Sequence, residues 1–204
     1  MNNSCFEDMI VKCDKNGIDK ALSVYESGGI IIFPTDTVYG VGCNPYLKNS
    51  VKKIYEIKLR SMSKPFPILV DSIETAEKIV VFNKSAKEFA KKFWPGQLTM
   101  ILELKDKDLG KILSVQDKIA VRVPNNNCTK KLLKKCKFLI GTSANVSGQP
   151  SFIDPEIGKN EIENYDIFID GGKINGKGES TIIEFHGEDW KIIREGALRR
   201  EELS

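Results

Sequence analysis

The sequence predicts an α/β protein whose strands form a twisted, open sheet of mixed direction with flanking helices. Three observations lead there. Short apolar, β-branched runs alternate with segments of helical periodicity through most of the chain. Nearly every such run ends in a polar loop punctuated by Gly or Pro, as in "GGIIIFPTDTVYGVG" (28–42). From residue 167 onward, strand-like runs follow one another with only Gly-rich turns between them, which a purely doubly wound sheet does not contain.

Ile18, Ala21, Leu22 and Tyr25 recur at helical spacing, and Gly28-Gly29 stops that helix. Ile30 to Phe33 are continuously apolar, as suits a strand covered on both faces, and Pro34 halts its ladder. A helix near 50–58 and a strand near 67–70 come next. A further helix starts at about 72 behind an Asp71-x-x-Glu74 capping box, and another spans 84–93, closed by Trp94-Pro95-Gly96. Strands are predicted at 98–104 and 119–123, a Lys-rich helix near 127–136, and a strand at 138–140 running into "GTSANVSGQPS". A helix near 155–164 precedes strands at 167–170, 181–185 and 190–194, and 173–180 reads as the most flexible internal segment. With no internal repeat, low-complexity tract or linker, one domain over 1–204 is expected, with its core at about 15–200.

Composition excludes more than it selects. There are 31 Lys and Arg against 28 Asp and Glu, so the net charge of +3 points to no class of partner. No apolar run approaches the ~20 residues needed to span a bilayer, and Glu7 and Asp8 are unlike the cationic start of a signal peptide. A cytoplasmic protein with reduced thiols is therefore expected. The five cysteines (5, 13, 43, 128 and 136) include no C-x-x-C pair, and the single histidine, His186, lies in a turn-like "EFHGED", so a Cys/His metal site is not expected. Cys43 is the one thiol beside a candidate site. No P-loop, G-x-G-x-x-G or G-x-S-x-G motif is present.

Three loops and two arginines carry the candidate chemistry. Thr35, Asp36, Thr37 and Tyr39 follow a buried strand at its carboxyl end, where open α/β sheets bind ligands, although Asp36 and Thr37 equally suit a plain turn. Lys58, Arg60 and Lys64 crowd "KLRSMSKP", a loop able to wrap an anion; a solvated surface is the commoner meaning of three cations alone. Thr142, Ser143, Asn145, Ser147 and Ser151 supply hydroxyls and an amide suited to a base, ribose or phosphate. Arg122 and Arg194 sit at strand positions, where an unpaired guanidinium is costly and requires an anion from protein or ligand. Ser180-Thr181 opens the "TIIEF" strand. Abundant cations and hydroxyls without a strong nucleophile suit the positioning of anionic reactants.

Together these motifs resemble the YrdC-like domain of threonylcarbamoyl-AMP synthases, from about Gly28 to Leu203. The resemblance rests on "GGIIIFPTDTVYGVG", K-x-R-x-x-x-"KPFPILV", "WPGQLTMIL", "AVRVP", "TSANVSGQPS", "DGG" with "STII", and "IIREGALRREEL", in family order. It implies a YrdC-like fold around a large basic concave cavity. It also implies synthesis of L-threonylcarbamoyladenylate and pyrophosphate from L-threonine, bicarbonate and ATP, for N6-threonylcarbamoyladenosine in tRNA. Lys58, Arg60 and Lys64 are then the catalytic cations, with Mg²⁺ held mainly by the ATP phosphates. Thr35, Arg122 and Ser180 would bind threonine; Arg60, Lys64, Ser143, Asn145, Ser151 and Arg194 would bind ATP. Downstream threonylcarbamoyl-transfer proteins, and a contact with tRNA or double-stranded RNA, are the implied partners.

Ser61 departs from the family's common K-x-R-P, and the ending at "EELS" resembles the short single-domain type or a truncated chain. Two rivals remain. A non-catalytic RNA-binding module would use the helix carrying Lys130, Lys131, Lys134 and Lys135, though no aromatic platform is interleaved there. An ATP-dependent carbamoylating enzyme acting on another amine is the second.

Overall fold

The computed structural model describes residues 10–62, 64–159 and 161–203. Its strands form two mixed sheets. The first sheet is ordered β1 (Ile10–Lys12), β10 (Ile167–Asp170), β2 (Ile31–Phe33), β3 (Gly40–Gly42) and β9 (Thr142–Ser143). Its first three strands are parallel and its last two antiparallel. The second is ordered β12 (Asp189–Arg194), β11 (Thr181–His186), β6 (Leu98–Leu104), β7 (Lys118–Arg122), β4 (Ile68–Val70) and β8 (Phe138–Ile140), with β5 (Val80–Val81) also on β6. The expected mixed α/β architecture is present. Its strands, however, are divided between two sheets, and the chain passes between them after β3, at Gly141 between β8 and β9, and again after β10.

Burial on both faces explains the unbroken apolar run of β2. Ile30 and Ile32 enter the main core with Tyr39, Ile68, Met100 and Phe168. Ile31 and Phe33 point the other way, into a second cluster with Ile18, Leu132 and Ile169. That second cluster lies under α1 (Lys15–Glu26) and α6 (Asn127–Cys136). Asp14 caps α1 by accepting from the Gly17 N–H at 2.8 Å. At its far end Gly28 turns the chain at φ +83°, which only glycine adopts freely. The remaining helices are α2 (Lys48–Ile57), α3 (Ile73–Ile79), α4 (Lys84–Phe93), α5 (Lys107–Leu113) and α7 (Pro155–Gly158).

Several expectations are corrected. Ser72, not Asp71, caps α3, accepting from the Thr75 N–H at 3.2 Å. Asp71 instead accepts from the Thr75 hydroxyl at 2.5 Å and from Lys137 at 2.6 Å. The helix expected at 155–164 is the four-residue α7. Gly158 there sits hard against the Phe152 ring, and Asn164 takes a positive φ of 63° that breaks helical geometry. The 173–180 segment is irregular and partly exposed, anchored at Ile174, which is buried and whose N–H bonds to Ile153 O at 3.0 Å. Nor are all thiols reduced. Cys13 and Cys128 form a disulfide across 115 residues where the β1–α1 turn meets the first turn of α6. Cys43 and Cys136 are free, and burial pushes the Cys43 thiol up. Among the described residues no helix is long and apolar enough to cross a membrane.

The crossing at Gly141 requires close backbone approach. A Cβ on Gly42 would fall 1.8 Å from Ile140 O, a backbone atom that cannot rotate away. Gly42→Ala is expected to destabilise the protein by about 3 kcal/mol or more, at the upper end for overpacking, read as a fall in the urea unfolding midpoint.

Candidate active site

Strand alternation builds the floor of the site. Leu98, Met100 and Leu102 of β6, Ile119 and Val121 of β7 and Ile183 of β11 are buried in the core. Their alternates line a cavity of about 550 Å³: Thr99 and Ile101, Lys118 and Arg122, Ser180 and Ile182. The facing wall comes from the loop after β2 and the turn after β9, and Arg60, Lys64 and Arg194 complete the lining. Of the ten side chains given roles by the family resemblance, nine line this cavity: Thr35, Lys58, Arg60, Lys64, Arg122, Ser143, Asn145, Ser180 and Arg194. Ser151 is half-buried and outside the lining.

The loop after β2 is both a tight turn and a cavity wall. The Thr35 hydroxyl donates to Val38 O at 2.6 Å and accepts from the N–H groups of Thr37 at 3.1 Å and Val38 at 3.2 Å. Helix α6 braces the loop: Asn126 donates to Thr35 O at 3.3 Å, and the Thr129 hydroxyl donates to Pro34 O. Arg122, 5% exposed, meets the same loop. Its Nε donates to Gly96 O at 2.9 Å, Nη1 to the Thr37 hydroxyl at 3.1 Å and Nη2 to Asp36 Oδ1 at 2.7 Å. Those bonds use three of the five guanidinium N–H groups. Asp36 Oδ2 is buried without a hydrogen-bond partner. The default expectation for a buried arginine, a protein carboxylate, is thus met by Asp36.

Lys58 is held differently from a free phosphate ligand. It is 2% exposed, and its ammonium donates to Ser143 O at 2.5 Å, Asn145 O at 2.7 Å and Asn145 Oδ1 at 2.9 Å. All three N–H groups are engaged. Burial, with Arg60 adding to it, pushes its pKa from 10.5 down to about 8. The charge of Glu179 opposes that shift, and at about 8 the group is still mostly an ammonium at neutral pH. Ser143 and Gln149 O satisfy the Asn145 amide, at 2.7 and 2.5 Å.

The rest of the cation cluster is more open. Arg60 donates from Nε to Lys64 O at 3.0 Å and lies 5.0 Å over the Phe66 ring. Phe66 in turn packs on Tyr55 with centroids 4.3 Å apart. Lys64 is exposed. Arg194 reaches Ser180 O at 2.8 Å from Nη2 and pairs with Glu179 from Nη1. The Ser180 hydroxyl is shared with Thr99 Oγ1 at 2.8 Å.

Sequence reasoning missed Thr99, Gln97 and Glu179 as contributors. Gln97 donates to Asp36 O at 2.7 Å. Glu179 is the single carboxylate among the described residues lining the cavity. Period-2 alternation along β6 would have pointed to Thr99. Nothing local marks Gln97 or Glu179, which act across distances of 61 and 15 residues.

Comparison with known proteins now places the chain. The family model for Sua5, YciO and YrdC, described as "Telomere recombination", matches residues 23–196.

The chain belongs to this family.

A relative named as a putative threonylcarbamoyl-AMP synthase from Methanocaldococcus jannaschii is 36% identical over 87% of this chain and 84% of its own length. The threonylcarbamoyl-AMP synthase of Pyrococcus abyssi is 34% identical over 90% of this chain, which spans about half (55%) of that longer protein. The solved structure of P. abyssi Sua5 complexed with L-threonine superposes with a TM-score of 0.89 over 95% of this chain and 59% of that one, at 31% identity. E. coli YciO, at 24% identity and a TM-score of 0.85, shares the fold over 96% of this chain. The YrdC-like fold expected from the sequence is therefore established for this Sua5/YciO/YrdC member.

Because the pKa of Lys58 is lower in the folded than in the unfolded chain, the unfolded state binds the extra proton between about pH 8 and 10.5, and stability from this group rises with pH across that window. The stability difference between wild type and Lys58→Met should shift in favour of wild type over that range in urea titrations. A flat difference would show that the three acceptors keep the proton on.

Proposed function

We propose that this chain is a threonylcarbamoyl-AMP synthase, acting through a single YrdC-like unit in the tRNA-modifying route to N6-threonylcarbamoyladenosine. One observation carries the reading: the hydroxyl loop with Arg122 and the cation cluster with the Ser143–Asn145 turn line one cavity. Ser180 stands where the two sets meet, sharing its hydroxyl with Thr99 and its carbonyl with Arg194. The names of the M. jannaschii and P. abyssi relatives, and the L-threonine bound in P. abyssi Sua5, support the same substrate.

The reaction needs no enzyme nucleophile. The amine of threonine adds to bicarbonate and water leaves, giving a carbamate. A carbamate oxygen then attacks the α-phosphorus of ATP, and the bond to the bridging oxygen breaks to release pyrophosphate. Both reactants are anions, so fixed positive charge must offset their repulsion. Arg122 keeps two N–H groups for the substrate carboxylate, beside a Thr35 turn that Asn126 and Thr129 hold rigid. Arg60, Lys64 and Arg194 face the phosphates, and Ser143 and Asn145 the nucleotide. Lys58 serves as a brace whose charge lies behind that turn. Phe33, Leu69, Ile101 and Ile182 give the lining apolar patches that would limit contact with water for a carbamate prone to lose carbon dioxide.

The residues present do not form a protein cage for Mg²⁺. No group of three or more His, Cys, Asp or Glu side chains able to hold a metal lies among the described residues. Mg²⁺ would enter this cavity as the companion of the ATP phosphates. The RNA-binding alternative finds part of its footprint engaged, since Lys135 pairs with Asp19 at 2.7 Å and Lys130 bonds to Asn125 at 3.0 Å.

Pyrophosphate release from ATP should require both L-threonine and bicarbonate, with serine and alanine as poor replacements. Release indifferent to threonine would overturn the assignment. Arg60→Ala should lower kcat by about 10²–10³, the scale of one preorganised charge-stabilising donor; a near-normal rate would return the cluster to a solvated surface.

A further inference from the structure

The cavity lining carries six cationic side chains and one carboxylate, Glu179. That carboxylate is directed at the cation cluster. It pairs with Nη1 of Arg194, and its negative charge favours the protonated forms of both Lys58 and Arg60. Its backbone is fixed: Glu179 O accepts from the Ala197 N–H at 2.8 Å, and Gly196 lies so close that a Cβ there would come within 2.3 Å of the same oxygen. Both side chains of the pair are part-exposed, 41% for Arg194 and 34% for Glu179, so water and ligand can reach them. The buried arginine of the cavity, Arg122, is held at one edge by Asp36, which does not itself line the cavity. Among the described residues, Glu179 is the one acidic side chain lining the cavity that the proposed nucleotide would enter.

We propose that Glu179 is an internal competitor for Arg194. It holds the guanidinium over the cavity while no nucleotide is bound, yields it to the phosphates of ATP, and takes it back as pyrophosphate leaves. The inference rests on the nucleotide-binding role of Arg194 given above. Its consequence is opposite in sign to that of an ordinary supporting residue, because removing the carboxylate strengthens nucleotide binding. A part-exposed ion pair is a weak competitor, so the effect is modest: about three- to five-fold in Kd.

Calorimetric titration of ATP and of inorganic pyrophosphate into the full chain, with and without Mg²⁺, tests this with Glu179→Gln, Arg194→Gln and the double variant. Glu179→Gln should bind both ligands about three- to five-fold more tightly and show no gain when Arg194→Gln is already present. Unchanged or weaker binding would overturn the proposal, and weakening confined to Mg²⁺-containing buffer would make Glu179 a metal contact instead. An equal gain in both backgrounds would mean simple repulsion rather than competition for Arg194. If Arg194→Gln alone leaves ATP affinity intact, the nucleotide role of Arg194 falls and this inference with it. If Arg194→Gln weakens ATP while Glu179→Gln does nothing, only the inference falls.

Discussion

The Lys58 ammonium joins the end of α2 to the turn after β9, and the geometry of the cavity depends on that junction. Its three N–H groups hold two main-chain carbonyls and the Asn145 side chain, while its own carbonyl accepts from the Ser147 N–H at 3.0 Å. A buried, fully bonded ammonium is costly to strip of any one partner, so the turn bearing Ser143 and Asn145 cannot drift without breaking several bonds together. Arg60 lies two residues further along, its guanidinium anchored to Lys64 O and to the Phe66 face. One lysine therefore places both a polar wall and a cationic wall. The charge chosen for this task also adds to the positive potential that anionic substrates require.

Arg122 and Arg194 show how a cationic pocket stays folded between turnovers. Arg122 is nearly sealed and held by Asp36 and the Thr37 hydroxyl, which gives it a single orientation. Arg194 is looser, resting on Ser180 and Glu179. The first arrangement suits recognition of a small ligand by preorganised donors. The second suits a group that changes partner as phosphates come and go. Asp36 sits in the polar loop that follows an apolar strand, so that loop serves as both turn and counter-ion.

Local chemistry made much of this legible in the sequence. The unbroken Ile30–Phe33 run signalled a strand buried on both faces, and the two clusters it feeds bear that out. Helix α4 and strand β6 coincide with their expected limits because apolar spacing and clear stops agree there. What stayed hidden depends on distant partners. β3 reads as "GVG", too short and too poor in side chains for any strand signal, and is defined by pairing with β2 and β9. The engagement of all three Lys58 donors also could not be read locally, since its acceptors lie 85 and 87 residues away. Cys13 and Cys128 were separated by more chain still.

The order of strands in the first sheet bears on how the molecule is made. β10 lies between β1 and β2, with Ile10 opposite Phe168 and Ile31 opposite Ile167. In the second sheet β11, from residue 181 onward, is the partner on one flank of β6. During synthesis from the N-terminus, β1 and β2 must therefore wait with a strand-wide gap between them until most of the chain has emerged. The apolar surfaces of Ile31 and Ile32 lack their final neighbour throughout that interval. Long-range closure of this kind is the type of topology that folds more slowly and keeps apolar strand surface exposed for longer. The cavity, which needs Ser180 and Arg194, is among the last features to form.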